Sequence, residues 1–335
     1  MAPMGQLSAH LDRGWDLVGR GDFAGAMRSA EHSLELDSAA PEAHNLMGYI
    51  YQAQGRAEEA LACYRAALEL EEGYVESMLN AAEVLVHLQD LEGALAMVRD
   101  ALDWLEPDEV EERADAMLLE VDILLMRGET EAATKVVRDL PDGPFEQPGL
   151  ELSIGRARLD VGDASGALPL IRAACDAAPP SSEGFYYLGL ALDAVGDGAG
   201  ALVALLQSRE ADTAAPRPPW SIPLRQFERR VRGALSQLPP YVSERLGGAL
   251  VIVTDLPGAE VVAEGIDPRI PVLLDALSPP GEPPKVGRVF VYQRNVERLS
   301  SGLFDIEGLI TRELVADARA VFEEAESAEA DAELP

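Results

Sequence analysis

Residues 41–74 read PEAHNLMGYIYQAQGRAEEALACYRAALELEEGY. Small Gly48 stands at the eighth position of this stretch and Tyr51 at the eleventh. Gly55 follows, then Ala60 at the twentieth, Tyr64 at the twenty-fourth and Ala67 at the twenty-seventh. Each has a use in a pair of helices joined by a turn. Small residues at positions eight and twenty let the two helices approach closely. An aromatic or aliphatic residue at twenty-four fills the gap to the next pair. The glycine between supplies the backbone freedom that ends one helix and turns the chain.

Working outward, the alanine of this stretch recurs. Ala26, Ala60 and Ala94 are 34 residues apart, and so are Ala133, Ala167 and Ala201. The two trios are offset by a five-residue insertion near Glu109–Arg113. A glycine stands five residues before most of these alanines, at Gly21, Gly55, Gly128, Gly162 and Gly196, with Gln89 as the exception. Six windows align without internal gaps: 7–40, 41–74, 75–108, 114–147, 148–181 and 182–215. A fixed period of this length implies an all-α solenoid of stacked helix pairs, here six. Such arrays expose long surfaces, so partner binding is the default expectation. The acidic insertion EPDEVEER (106–113) and the proline-rich close of the fourth window, LPDGPFEQPG (140–149), should interrupt the superhelix locally, and both read as tolerated loops.

The net charge of −32 excludes some partners. Residues 1–215 carry 40 acidic and 14 basic side chains; the rest carry 19 and 13. An acidic array repels nucleic-acid phosphates and anionic membrane surfaces. Cys63 and Cys175 lie far apart on apolar helix positions and read as two buried structural thiols in a reducing compartment. The N-terminal stretch MAPMGQLSAHLDRGWDL holds no apolar core of signal-peptide length, and no run of about 18 apolar residues occurs. The expected location is cytoplasmic.

The windows resemble the tetratricopeptide repeat family, whose unit is a 34-residue helix–turn–helix, over about 210 residues. The resemblance implies that the first helix of each window faces a groove, with positions 2, 5, 9, 12 and 13 inward. Carried over, these positions give a partner-binding set of Trp15, Glu42, Asn45, Tyr49, Gln52, Glu76, Glu83, His87, Asp115 and Asp122, with Leu11, Val18, Leu79, Val86, Leu118 and Leu125 as apolar members. Family members that grip a terminal carboxylate use lysine, asparagine and arginine there, and only Asn45 belongs to that set. A basic or amphipathic protein segment is therefore the expected partner. The alternative for Trp15 and Tyr49 is packing between helices. The four histidines, His10, His32, His44 and His87, have no i, i+4 pairing and make a poor metal site.

Composition changes after Asp212. TAAPRPPWSIP (213–223) holds four prolines, and its residues 216–223 read as a stiff linker. A helix follows in LRQFERRVRGALSQL (224–238), with Phe227, Val231, Ala234, Leu235 and Leu238 as its apolar stripe. Arg225, Arg229, Arg230 and Arg232 form its other side, as a solvated face or as a basic surface docked on the acidic array. GALVIVTDLP (248–257) reads as a buried strand, and RVFVYQRN (288–295) as a second. Between them lie a helical or loop stretch and a proline-rich turn, SPPGEPPKVG. NVERLSSGLFD reads as short helix or loop, and a long helix runs from about Asp305 to Ala325. The acidic tail 325–335 reads as frayed and then disordered.

The segments FERRVRGALSQLP (227–239), VIVTDLPGAE (251–260) and RVFVYQRNVER (288–298), followed by a long helix, resemble the minimal zincin-like metallopeptidase family of bacteria. The resemblance covers residues 224–324 and implies a small α+β domain whose last helix carries His-Glu-x-x-His. Two histidines one turn apart hold zinc there, and the glutamate acts as general base on the zinc-bound water. Here Arg312 and Ala316 stand at the two ligand positions and only Glu313 persists. No histidine or cysteine follows Cys175, so only carboxylates remain, which suit magnesium or calcium better than hydrolytic zinc. Glu313 is expected to pair with Arg312, Arg319 or solvent. No cofactor is expected, and no P-loop, dinucleotide glycine pattern or Gly-x-Ser-x-Gly occurs. Two functions compete. One is a non-catalytic scaffold, its array gripping a partner and its pseudo-peptidase domain serving as second surface or cap. The other is an active metallopeptidase with a non-standard site using Glu313.

Overall fold

Each window becomes two helices packed on one another. The computed structural model describes residues 3–147, 149–177, 181–277, 285–300 and 302–332. The chain divides into two compact units, 1–174 and 175–335.

The first unit holds five successive pairs: α1 (Pro3–Gly19) with α2 (Phe23–Leu36), α3 (Pro41–Ala53) with α4 (Ala57–Leu70), α5 (Val75–His87) with α6 (Leu91–Trp104), α7 (Val110–Met126) with α8 (Thr130–Asp139), and α9 (Leu150–Asp160) followed by α10 (Ala164–Ala177). The five register alanines of these pairs are fully buried. Position eight acts as its size requires: a Cβ added to Gly48 would lie 2.5 Å from the buried Tyr64 ring. Leu46 and Ile50 are also fully enclosed; burying one such side chain contributes about 2 kcal/mol. The first helices stand side by side, α1 against α3, α3 against α5, α5 against α7 and α7 against α9, and so form one wall.

The turn glycines Gly21, Gly55, Gly128 and Gly162 have φ between +74° and +86°. Gln89 adopts the same left-handed conformation at +65°, with its side-chain amide on the Val86 carbonyl at 3.3 Å. The exception in the sequence is thus no exception in the backbone. After four of the turns an aspartate caps the second helix: Asp22, Asp90, Asp163 and Asp197 accept hydrogen bonds from the amides of Gly25, Gly93, Gly166 and Gly200 at 2.8–3.0 Å.

The insertion is not the loop expected of it. Val110–Arg113 forms the first turn of α7, which reaches 17 residues against 13 for α3 and α5. Arg113 donates to the carbonyls of Leu102 and Leu105 at 3.1 and 2.9 Å, closing the end of α6. Glu111 accepts from the amides of Glu146 and Gln147 beyond α8. Charged side chains that satisfy neighbouring helix ends turn the extra residues into structure.

The second unit holds the sixth pair, α11 (Ser182–Ala194) and α12 (Gly198–Ala214), packed on one another, with Ala201 buried and Gly196 left-handed at +85°. Then come α13 (Leu224–Ser236), α14 (Pro240–Arg245), β1 (Leu250–Thr254), α15 (Ala259–Ala263), β2 (Val272–Leu277), β3 (Lys285–Tyr292), α16 (Gln293–Leu299) and α17 (Ile306–Ala332). The three-stranded sheet has the order β1-β3-β2, with β1 parallel and β2 antiparallel to β3. The α13 stripe packs as its spacing requires: Phe227, Val231, Ala234 and Leu238 are buried with Ile306, Ile310, Leu314 and Ala318 of α17 and Val289 and Val291 of β3.

Four readings of this region change. β1 is an edge strand, with Leu250 62% exposed, not a buried one; a β-branched run marks a strand but not its place in the sheet. VLLDAL (272–277), read as helix or loop, is the second strand, because register with β3 overrides the helical preference of leucine. The strand read at 288–295 starts earlier and ends at Tyr292, where α16 begins. α17 continues to Ala332, through most of the segment read as tail. Most of the proline-rich turn, 278–284, and residues 333–335 lie outside the described residues.

The proline-rich segment is held along its length. The Ala215 carbonyl accepts from Arg294 at 2.7 Å, and Arg217 pairs with Asp255 at 2.6 Å. Ser221 donates to the buried Glu297 carboxylate at 2.8–2.9 Å, and Ile222 accepts from Gln293 at 2.7 Å. Trp220 and Ile222 pack on the sheet's core. Of the four arginines on α13, Arg230 pairs with Glu307 of α17 at 3.3 Å and the others are exposed, as a solvated face.

Candidate partner-binding face

Along the wall of first helices, predicted groove residues of neighbouring repeats touch. Trp15 of α1 and Tyr49 of α3, both at position nine, meet edge to face with ring centroids 5.2 Å apart. Trp15 is half-buried against the cluster of Ala26, Ala30, Leu46 and Ile50, whereas Tyr49 is exposed.

Between α3 and α5 the contacts are polar. Asn45 is fully buried, donates to Glu76 at 2.9 Å and accepts from Ser77 at 2.9 Å and Asn80 at 3.1 Å. Its amide is therefore spent between helices and is not open to a peptide. Gln52 donates to Glu83 at 3.0 Å and accepts from the Tyr64 hydroxyl at 2.7 Å. Glu42, Glu76, Glu83 and His87 are exposed. The carboxylates Glu76 and Glu83 are thus positioned by neutral amides. The field they set up adds to burial, the larger cause, in holding the Tyr64 and Tyr74 phenols well above the usual range.

Between α7 and α9 the pattern changes. Asp122 accepts both bonds from Arg156 at 3.0 and 3.1 Å, and Arg156 also approaches Asp160 at 3.8 Å. Burial raises the Asp160 and Asp115 carboxyls, with the Arg156 charge opposing it at Asp160 and a hydrogen bond from Gln147 opposing it at Asp115. Sequence reasoning missed Arg156, though the signal was there. Asp122 and Arg156 stand at the same position of successive windows, 34 residues apart, with opposite charge.

His10 and His32 approach with centroids 5.5 Å apart, and His32 pairs with Glu35 at 2.9 Å. Burial lowers the pKa of His44. Cys63 and Cys175 are half-buried free thiols, not the fully buried ones expected, and desolvation pushes both up.

On α17, Arg312 is exposed and pairs with Asp305 at 3.6 Å, and Ala316 is exposed. Glu313 is half-buried and pairs with neither Arg312 nor Arg319; one turn on lies Asp317, which accepts the Leu274 amide at 2.8 Å. Burial first, then the Glu313 charge, raises the Asp317 carboxyl. Among the described residues, no three His, Cys, Asp or Glu side chains are grouped to hold a metal ion.

This architecture is a helical-repeat array joined to a small α+β region. Models of the tetratricopeptide repeat match residues 41–74 and 152–216, the pair α3–α4 and most of the stretch α9–α12. Among solved structures the chain is similar to PilF of Pseudomonas aeruginosa, at 16% identity and a TM-score of 0.51, covering 64% of this chain and 96% of that one. It is similar to PilW, a widely conserved type IV pilus biogenesis factor, at 16% identity and a TM-score of 0.50, over 62% and 94%. It also resembles the Cut9–Hcn1 hetero-tetramer of APC/C, at 12% identity and a TM-score of 0.51, over 62% and 41%. These likenesses are of fold. No curated protein matches the chain. Among the described residues, no helix is long and apolar enough to cross a membrane.

Proposed function

We propose that the chain is a non-catalytic interaction scaffold whose repeat face binds a basic or amphipathic segment of a protein partner. Tetratricopeptide arrays are interaction modules. The observation that carries the charge preference is the α3–α5 face, where Glu76 and Glu83 are exposed and fixed by Asn45 and Gln52, with the exposed Tyr49 ring on the same helix as those two amides. Fixed carboxylates beside an aromatic ring favour lysine or arginine through charge and through the ring's negative face. A cytoplasmic setting is in keeping with the two free thiols.

The test is fluorescence anisotropy with an acetylated, amidated amphipathic Leu/Lys peptide and its Leu/Glu counterpart. The basic peptide should bind with an affinity that falls with salt. Glu76→Lys with Glu83→Lys should weaken it at least tenfold. Equal binding of both peptides would overturn the charge preference.

The second region is read as a pseudo-peptidase domain of zincin-like descent. The mixed sheet, the long α17, and Arg312 and Ala316 at the ligand positions support that reading. An arginine at a ligand position puts a permanent positive charge where a dication would sit. Metal analysis of the purified chain separates this reading from the peptidase alternative: no bound zinc is expected, and stoichiometric zinc would overturn the non-catalytic reading.

A further inference from the structure

The extra turn of α7 has a consequence on the outer side of the fourth pair. Val110, Arg113, Met117 and Glu120 follow at intervals of three and four and so share one face of the helix. With Leu102 of α6 and Val136 of α8 they line a cleft of about 420 Å³ that opens to solvent. Val110 is 44% exposed although Leu102, Met117 and Val136 line the same cleft. The volume suits one or two side chains.

The charges in the cleft are not equally available. Arg113 is held by the two carbonyls that end α6. Glu120 is buried and paired with Arg99 at 2.8 Å. Asp139 at the mouth is exposed, and the insertion beside it carries five carboxylates between Glu106 and Glu112. An apolar floor under an acidic rim fits a long aliphatic side chain that ends in, or is flanked by, positive charge.

We propose that this cleft is a second docking site, separate from the repeat face, for an apolar side chain of a cationic amphipathic helix from a partner protein. The inserted residues build its wall, so the interruption of the 34-residue register and the cleft are one feature.

A 16-residue amphipathic Leu/Lys peptide carrying a benzophenone photo-cross-linker on one leucine position tests this on the full chain. Mass spectrometry of the cross-linked protein should find adducts within residues 106–120 or 136–141. Val110→Arg, at an exposed position that the fold tolerates, should reduce those adducts at least fivefold. Glu76→Lys with Glu83→Lys should leave them in place. Adducts confined to α3 and α5, or cleft adducts indifferent to Val110→Arg, would overturn the second site while leaving the repeat-face reading standing. Adducts confined to the cleft, with none on α3 or α5, would do the reverse.

Discussion

Within the first unit, the two helices of a repeat meet through small residues and close apolar contact; in the second unit, the sixth repeat meets the sheet region beside it through buried charge. The contrast is sharp at the level of single side chains. Ala60 and Gly48 enclose Tyr64 with no polar requirement beyond one hydroxyl bond. By contrast Asp212, on α12 and only 2% exposed, faces Arg298 of α16 at 2.5 Å and Arg269 at 3.4 Å. The Arg269 contact is in ion-pair range but not aligned as a hydrogen bond, so Asp212 Oδ2 and Arg269 Nε have no hydrogen-bond partner. Arg269 also lies over the Tyr186 ring at 4.3 Å, and the Tyr186 hydroxyl donates to Asp267 at 2.8 Å. Arg209 donates to the Pro257 carbonyl at 2.5 Å, and α12 packs on α15. The two helices of one repeat can use non-directional packing, because the same small-residue pattern recurs in each window. A repeat that meets an unrelated sheet domain has no such pattern to share. Directional charge fixes one orientation there.

The largest effect should therefore come from Asp212. Asp212→Ala leaves Arg269 and Arg298 facing a buried site with no counter-charge, and such a loss costs about 3–5 kcal/mol. Asp122→Ala removes a superficially similar pair in the first unit, but its side chains are 35% and 44% exposed. Solvent screening keeps that cost below about 1 kcal/mol. Hydrogen exchange across a urea series, read on β3 and α16 for the first variant and on α7 and α9 for the second, checks both. Equal costs would break the distinction between the two kinds of contact.

Gly48→Ala attacks the other side of the comparison. The new methyl group meets the Tyr64 ring, which is fully enclosed and tied to Gln52, so the ring or the α3–α4 spacing must shift. Overpacking of this kind costs about 1–3 kcal/mol. Tyr64→Leu in the same chain should recover part of the loss, and a double-mutant cycle on urea midpoints measures how much. Additive effects would mean that the two residues do not press on each other.

The two kinds of contact were not equally legible in the sequence. The repeats were, because a periodic chain states its packing six times, and Ala26, Ala60, Ala94, Ala133, Ala167 and Ala201 could be aligned against each other. The column at position nine was legible in part: Trp15 and Tyr49 stood out as aromatics, while the Asp122–Arg156 pair needed the two windows laid side by side. Asn45 was placed on the open face by its position, yet it is buried, since its polar partners Ser77 and Asn80 come from the next repeat. The partners of Asp212 lie 57 and 86 residues away in a region without repeats, so no spacing announces them. β2 was missed for a related reason. Leu273 and Leu274 favour a helix locally, and only the pairing with Phe290 and Val289 makes them a strand.

The smallest effect tests whether the register is a backbone rule or a glycine rule. Gly55 and Gln89 hold the same left-handed turn at φ +74° and +65°. That conformation costs a residue with a Cβ about 1 kcal/mol. Gly55→Ala should thus destabilise by about 1 kcal/mol, although nothing lies within 4 Å of the added Cβ and no contact is lost. Gln89→Gly runs the other way. It relieves the strain, but it frees the unfolded chain and gives up the 3.3 Å bond to Val86, so the gain should be about 0.5 kcal/mol. Urea midpoints at unchanged slope measure both. If Gln89→Gly destabilises instead, the glutamine's own hydrogen bond outweighs the backbone strain. The third repeat would then owe its turn to a side chain, and the one departure from the glycine register would be a local solution of the kind seen at Asp212.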